Sequence, residues 1–365
     1  MNRSLLDEFR DRELVRGLAE LIARLVEGRD RPLSFMEVCG THTMSIYQFG
    51  IRSLLPPGVR LISGPGCPVC VTPVGYVDRA VAYARQPETI VATFGDMLRV
   101  PGSTSSLMQE RARGADIRIV YSPLDALALA DKNREKRIIF LGVGFETTAP
   151  TIAGTILSAA ERDIDNFFVL AAHKTIPVPM RILSADPELA IDGYLCPAHV
   201  SAIIGAEAYR FLAEEQRVPC VVTGFEPTDI LQGVAMLVRQ VVEGRSTVEN
   251  QYRRFVSPEG NRKAKELLSR VFVPSDAVWR GLGMIPGSGL DIAPAFARYD
   301  AEKSVPVEVE APQEPDGCLC GEVLKGKITP FDCPLFGTTC TPEQPVGACM
   351  VSSEGSCAAA YKYGQ

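Results

Sequence analysis

Between residues 32 and 226 the chain alternates short apolar runs with longer segments of helical periodicity. The runs fall at 34–38, 59–63, 89–93, 117–121, 137–142, 167–171, 193–195 and 220–223. Each ends in a loop of Gly, Pro, Cys or Thr, the kind of composition that stops a strand and turns the chain. Eight strands alternating with helices predict parallel α/β architecture, because a parallel neighbour needs a crossover long enough to hold a helix. They divide into two sets of four, one α/β domain over residues 32–121 and a second over 122–226. Ligands of open parallel sheets sit beyond the carboxyl ends of the strands, so two such domains are expected to face a cleft lined by these loops.

Ahead of the strands, residues 4–28 place Leu5, Leu14, Leu18, Leu21, Ile22, Leu25 and Val26 on one stripe of a charged segment, which predicts an amphipathic helix. Beyond them, 230–243 and 261–271 read as helices, and then periodicity fades. Residues 1–31 and 227–365 are therefore grouped as a third domain, mostly helical and loop-rich, with the first helix packing against it.

Periodicity fades where cysteine accumulates. Six of the eleven cysteines, Cys318, Cys320, Cys333, Cys340, Cys349 and Cys357, lie in this tail among Gly, Pro and Thr. Sulfur chemistry rather than an apolar core is expected to hold such a segment in shape. Structural disulfides need an oxidising compartment, yet Met1-Asn2-Arg3-Ser4 leads into a charged helix instead of an apolar signal segment. Structural zinc favours close ligand pairs two to four residues apart, and only Cys318 and Cys320 are close, with the wrong separation. Loop-borne thiolates favour an iron–sulfur cluster, whose sulfides accept backbone N–H bonds that Gly-rich turns present at close range.

The strand-end loops carry the remaining chemistry. Cys39-Gly40-Thr41-His42-Thr43 follows the first run and Gly64-Pro65-Gly66-Cys67-Pro68-Val69-Cys70 the second. A Cys-x-x-Cys pair on a tight turn can close into a disulfide, ligate a metal or lower one thiol's pKa. Cys39 lies at the same end of a neighbouring strand, so three thiols and the His42 imidazole are candidates to converge. Asp96 and Glu146 each follow an aromatic on later loops, Thr147 and Thr148 are candidate helix caps, and all three histidines, His42, His173 and His199, lie on strand-end loops. Gly142-Val143-Gly144 lacks the third glycine of a dinucleotide fingerprint, and neither a Walker lysine motif nor a nucleophile elbow occurs. No ordinary hydrolase or dehydrogenase set is visible.

With 365 residues, 46% hydrophobic and 22% charged, the chain has the composition of a globular protein. A net charge of −6 and scattered Lys and Arg argue against a nucleic-acid surface. No run of about eighteen apolar residues suggests a transmembrane helix, and the expected compartment is the cytoplasm, where thiols stay reduced.

Taken together, Met36-Glu37-Val38-Cys39-Gly40-Thr41-His42-Thr43, Gly64 through Cys70, Gly144-Phe145-Glu146-Thr147-Thr148-Ala149-Pro150 and the tail from Asp332-Cys333-Pro334-Leu335-Phe336-Gly337 to Tyr361-Lys362-Tyr363-Gly364 closely resemble the HypD family of [NiFe]-hydrogenase maturation scaffolds. The resemblance covers nearly the whole chain. It implies two α/β domains and a cluster-bearing third domain that work with a small chaperone, HypC, on which an Fe(CN)2(CO) unit is assembled. It also implies cyanide delivery by HypE with HypF. On that resemblance Cys39 is the iron ligand shared with the chaperone, and Cys67 and Cys70 form a redox-active dithiol beside it. Cys39, Cys67, Cys70, His42 and Glu146 are the expected catalytic residues, and the three thiols the expected metal ligands. For one [4Fe–4S] cluster the favoured ligands are Cys320, Cys333, Cys340 and Cys357. Cys318 is an alternative to Cys320 and Cys349 to Cys357, although Met350-Val351 makes Cys349 read as a packed thiol. Cys196 and Cys220, at predicted strands, read as structural.

Overall fold

The computed structural model describes residues 9–364. All eight expected strands form: β1 (Leu33–Glu37), β2 (Val59–Ser63), β3 (Thr89–Thr93), β4 (Ile117–Ile119), β5 (Arg137–Gly144), β6 (Phe167–Lys174), β7 (Gly193–Pro197) and β8 (Cys220–Thr223). Three more follow, β9 (Val248–Asn250), β10 (Phe272–Trp279) and β11 (Gly283–Ile292). The fold is α/β with predominantly parallel sheets. One sheet runs β2-β1-β7-β8-β9 and the other β10-β11-β6-β5-β3-β4. Every pairing is parallel except those of β11 with β6 and with β10.

These partners differ from the expected two sets of four. β3 pairs with β5 on one side and β4 on the other, so a boundary near residue 122 falls inside the second sheet. The chain leaves the first sheet after β2, builds β3 to β6, returns for β7 to β9, and goes back for the β10–β11 hairpin. Apolar periodicity reports that a strand exists and says nothing of its neighbour. The hairpin lies where mostly helical and loop structure was expected. Pro274, Asp276 and the glycines at 283, 287 and 289 interrupt its alternation.

Local chemistry sets the helix ends. Asp11 caps the Arg12–Val26 helix, its carboxylate accepting from the N–H groups of Glu13 and Leu14, and Ser122 with Asp125 forms a capping box ahead of Pro123. Leu5, placed on the first helix's stripe by its spacing, lies outside the described residues. Ile22 and Val26 of that helix pack with Ile230, Val234 and Leu237 of the Pro227–Val242 helix. As expected, the amino-terminal helix joins the region after residue 226. Both helices cover the β1 and β7 face of the first sheet through Phe35 and Leu195, and each fully buried side chain of this size contributes about 1.5–3 kcal/mol.

The cysteine tail is mostly loops, with two short helices at Cys320–Leu324 and Ser356–Tyr363. It is pinned across the strand ends by Arg99, which donates to the carbonyls of Pro342 (3.1 Å) and Val351 (3.0 Å). Among the described residues no helix is long and apolar enough to cross a membrane.

Candidate metal centre and dithiol

Cys39 occupies the N-cap of the Gly40–Gln48 helix and Cys67 that of the Pro68–Val71 turn. The two loops are clamped together. Gly40 N–H donates to Gly66 O at 2.8 Å, and Gly64 N–H to Glu37 O at 2.8 Å. Only glycine fits at position 66, because a Cβ there would lie 2.1 Å from Cys39 N. The buried Glu37 carboxylate secures the base of the clamp, accepting from Ser63 Oγ at 2.5 Å and Thr43 Oγ1 at 3.3 Å. The structure thus brings the Cys39 and Cys67/Cys70 loops together as expected. Among the described residues no group of three or more His, Cys, Asp or Glu side chains is set around a single metal ion, so the three thiols are neighbours without being a preformed three-sulfur site.

Burial pushes the Cys39 thiol up to about 12; the backbone N–H of His42 works against that rise and Glu354 adds to it. Glu354 had no signal in the sequence beyond its place between two tail cysteines. It accepts from Thr41 Oγ1 at 2.6 Å, and a Cβ on Gly40 would lie 2.5 Å from its own Cβ. Gly40 is thus approached closely by this chain's own tail.

His42 does not join the thiols. Its Nε2 donates to Gly224 O at 2.9 Å beside Thr223 at the end of β8, while Nδ1 is buried without a partner. Burial lowers its pKa to about 4, leaving a neutral imidazole. His42 and His199 both lie against Phe225, with ring centroids 4.9 and 4.1 Å away. His173 is elsewhere, buried against Phe272, so two of the three histidines share a site.

The Glu146 Oε1 accepts from Ile176 N–H at 3.0 Å, and Oε2 is buried without a partner. Its neighbours include Ile176 and Tyr209. Burial raises its pKa to about 7. Thr148 stands at the N-cap of the Ala149–Glu161 helix without capping it, since its hydroxyl donates to Phe145 O. Asp96 lies on the turn after β3, beside the tail.

The thiols form a continuous series. Cys67 Sγ accepts from Cys70 N–H at 3.3 Å. Burial holds the Cys70 thiol well above its ordinary value, reinforced by contacts with Cys349 and Cys67. Cys349 in turn meets Cys320, Cys357 and Cys70, whose S–H groups donate to it and hold its pKa below the ordinary thiol value against the opposing effect of burial. Cys318 touches Cys320, and both sulfurs flank Gly347, where a Cβ would meet them at 2.6 and 2.4 Å. Val346 N–H is aimed at Cys340 Sγ, 3.3 Å away. Cys349 is therefore buried, as its sequence suggested, but central to the site instead of a packed bystander. Cys333 is half-buried and follows the Pro330–Asp332 turn. Cys196 and Cys220 touch each other across β7 and β8, fully buried.

The β10–β11 turn braces the dithiol. Arg280 N–H donates to Val71 O (2.8 Å) and its Nε to Thr72 O (2.9 Å), and Trp279 stacks on Phe145 at 6.0 Å. Neither residue stood out in the sequence, although a lone Trp beside Arg-Gly-Leu-Gly is a turn signal.

The fold and the site define an α/β protein whose strand-end loops gather a Cys-x-x-Cys pair and a third cysteine against a cysteine-rich tail. The HypD family model, described as the hydrogenase formation hypA family, matches residues 13–364. The hydrogenase maturation factor HypD of Escherichia coli (strain K12) is 49% identical over 365 residues, covering 99% of this chain and 98% of that protein. The hydrogenase maturation factor HypD of Rhodobacter capsulatus is 48% identical over 366 residues, covering 98% and 97%. The hydrogenase expression/formation protein HupD of Azotobacter chroococcum mcd 1 is 48% identical over 367 residues, covering 99% and 97%. The chain belongs to the HypD family.

Proposed function

We propose that the chain serves hydrogenase maturation in the cytoplasm as a scaffold. It would hold iron, as Fe(CN)2(CO), on Cys39 jointly with the HypC chaperone while cyanide from HypE with HypF is attached. The observation that carries this reading is the clamp between the Cys39 and Cys67 loops, which sets a third thiol beside the dithiol. A soft thiolate suits low-spin iron that accepts cyanide and carbon monoxide. Metal binding releases the Cys39 proton, and the His42 backbone N–H is placed to stabilise the resulting thiolate. The His42 ring positions this turn through Gly224. Cys67 and Cys70 would exchange two electrons and two protons as dithiol and disulfide.

The tail fits an iron–sulfur cluster by its donors, sulfurs with a backbone N–H aimed at one of them. Cys333, Cys340 and Cys357, with Cys320 or Cys318, would hold a [4Fe–4S] cluster supplying one-electron chemistry. Cys349, touching both sets of thiols, links the two. Anaerobically reconstituted protein is expected to carry about four irons and four sulfides per chain; stoichiometric zinc without labile sulfide would reject the cluster.

In Cys39→Ala protein copurified with the chaperone, cyanide and carbonyl infrared bands are expected to vanish while the iron–sulfur absorption stays. Bands at full intensity would remove Cys39 from the role. The thiol contacts from Cys67 to Cys357 support a second reading, an iron–sulfur-dependent reductase of a partner's disulfide. That reading gains if Cys39→Ala protein still reduces such a disulfide at the unaltered rate.

A further inference from the structure

At one edge of the second sheet three residues lie in a row across three strands. Lys174 of β6 pairs with Gly289 of β11, and Gly289 with Ser275 of β10. Directly opposed residues on neighbouring strands share a face, so the Lys174 and Ser275 side chains rise on the same side with no side chain between them. A Cβ at Gly289 would sit 2.8 Å from Ser275 Oγ and 2.9 Å from Ala277 Cβ. The resulting notch opens into a cavity of about 560 Å³ roofed by Gly75, Tyr76, Arg79 and Pro312.

Both polar groups at the notch lack partners. Lys174 is 3% exposed, and among the described residues its ammonium meets only the face of Trp279, with Nζ 5.8 Å from the ring centroid. Burial alone lowers its pKa, to about 8. Ser275 Oγ is buried with nothing to bond. Buried donors are normally satisfied, and here both face a space large enough for a small molecule. Four acidic side chains line the cavity: Glu302 pairs with Arg79, Asp276 accepts from Gly287 N–H, Asp291 lies near Lys303, and Glu310 lies near Arg85.

We propose that the Lys174–Gly289–Ser275 notch is a binding site for a small monocarboxylate anion, whose oxygens accept from the Lys174 ammonium and the Ser275 hydroxyl. The Lys174 ammonium can only donate and the Ser275 hydroxyl can donate beside it, a pair that favours a ligand rich in acceptor oxygens. A single negative charge fits better than a phosphate dianion, because Asp276, Asp291, Glu302 and Glu310 line the same cavity. The site uses none of the cysteines, so it stands or falls apart from the scaffold reading.

The test is calorimetric titration of the full-length protein with formate, acetate and inorganic phosphate, alongside three variants. Formate or acetate is expected to saturate one site. Lys174→Met, which fills the same volume without a charge, should weaken binding about tenfold or more, as loss of a charged hydrogen bond does. Ser275→Ala should weaken it roughly threefold to fivefold. Gly289→Ala keeps both donors but fills the notch, so it should abolish binding and serves if the lysine variant folds poorly. No saturation by either carboxylate, undiminished binding in both Lys174→Met and Gly289→Ala, or tighter binding of phosphate would overturn the assignment.

Discussion

Glu146 is held by a single hydrogen bond, from Ile176 N–H, with its second oxygen buried and unpartnered. One bond does not replace the water lost, and no cation stands near enough to compensate, so the neutral carboxyl is favoured and its pKa rises to about 7. An unfolded glutamate titrates near 4.3. Between those values the unfolded chain releases a proton that the folded chain keeps. Stability from this group is therefore complete below about pH 4.3 and is lost as pH rises towards 7, at a slope of up to about 1.4 kcal/mol per pH unit. Glu146→Gln keeps the acceptor for Ile176 and does not titrate. In urea unfolding, the variant is expected to gain on the parent protein as pH rises from 5 to 7, with the gap constant above that. A gap independent of pH would mean that the carboxylate is ionised throughout. The aromatic before Glu146 marked the loop as worth attention, but burial of its carboxyl came from elements remote in sequence, which a local pattern does not report.

At the scale of elements, the strand-end loops were readable because Gly, Pro and Cys cluster where strands stop, and the Cys39 and Cys67 loops do meet. What braces them was not readable. The β10–β11 turn reaches the dithiol only after some two hundred residues of chain, and its strands are broken by the glycines that let it bend. Arg280 joins the two elements through Val71 and Thr72. Arg280→Met keeps much of the packing but removes the guanidinium donor to Thr72 O, leaving that carbonyl unsatisfied at a cost of about 1–3 kcal/mol. The dithiol turn should then open more often. Native-state alkylation of Cys67 and Cys70 is expected to speed up roughly tenfold or more, following that free energy, while labelling of Cys196 and Cys220, buried between β7 and β8, stays as before. Equal acceleration at all four cysteines would indicate global destabilisation instead of a local brace.

For the whole molecule, the interlacing of the two sheets matters more than their count. Two contiguous halves would fold separately, whereas here β5 lies between β3 and β6, and β1 between β2 and β7. A cut near residue 122 removes β7 from β1 and β5 from β3, leaving β1 and β2 as a two-strand sheet with Phe35 and Leu33 uncovered by the Pro227–Val242 helix. Sheets of two strands are marginal in water, and the apolar faces exposed favour aggregation. Fragments 1–122 and 123–365 expressed alone are therefore expected to lack a cooperative urea transition, while the same fragments expressed together should assemble and unfold as one. The dithiol offers a second readout in that assembly, because Cys70 meets Cys349 across the cut. Cysteine labelling should be fast in either fragment alone and slow in the pair. A first fragment that unfolds cooperatively without its partner would show that β1 to β4 hold together without the pairings described here.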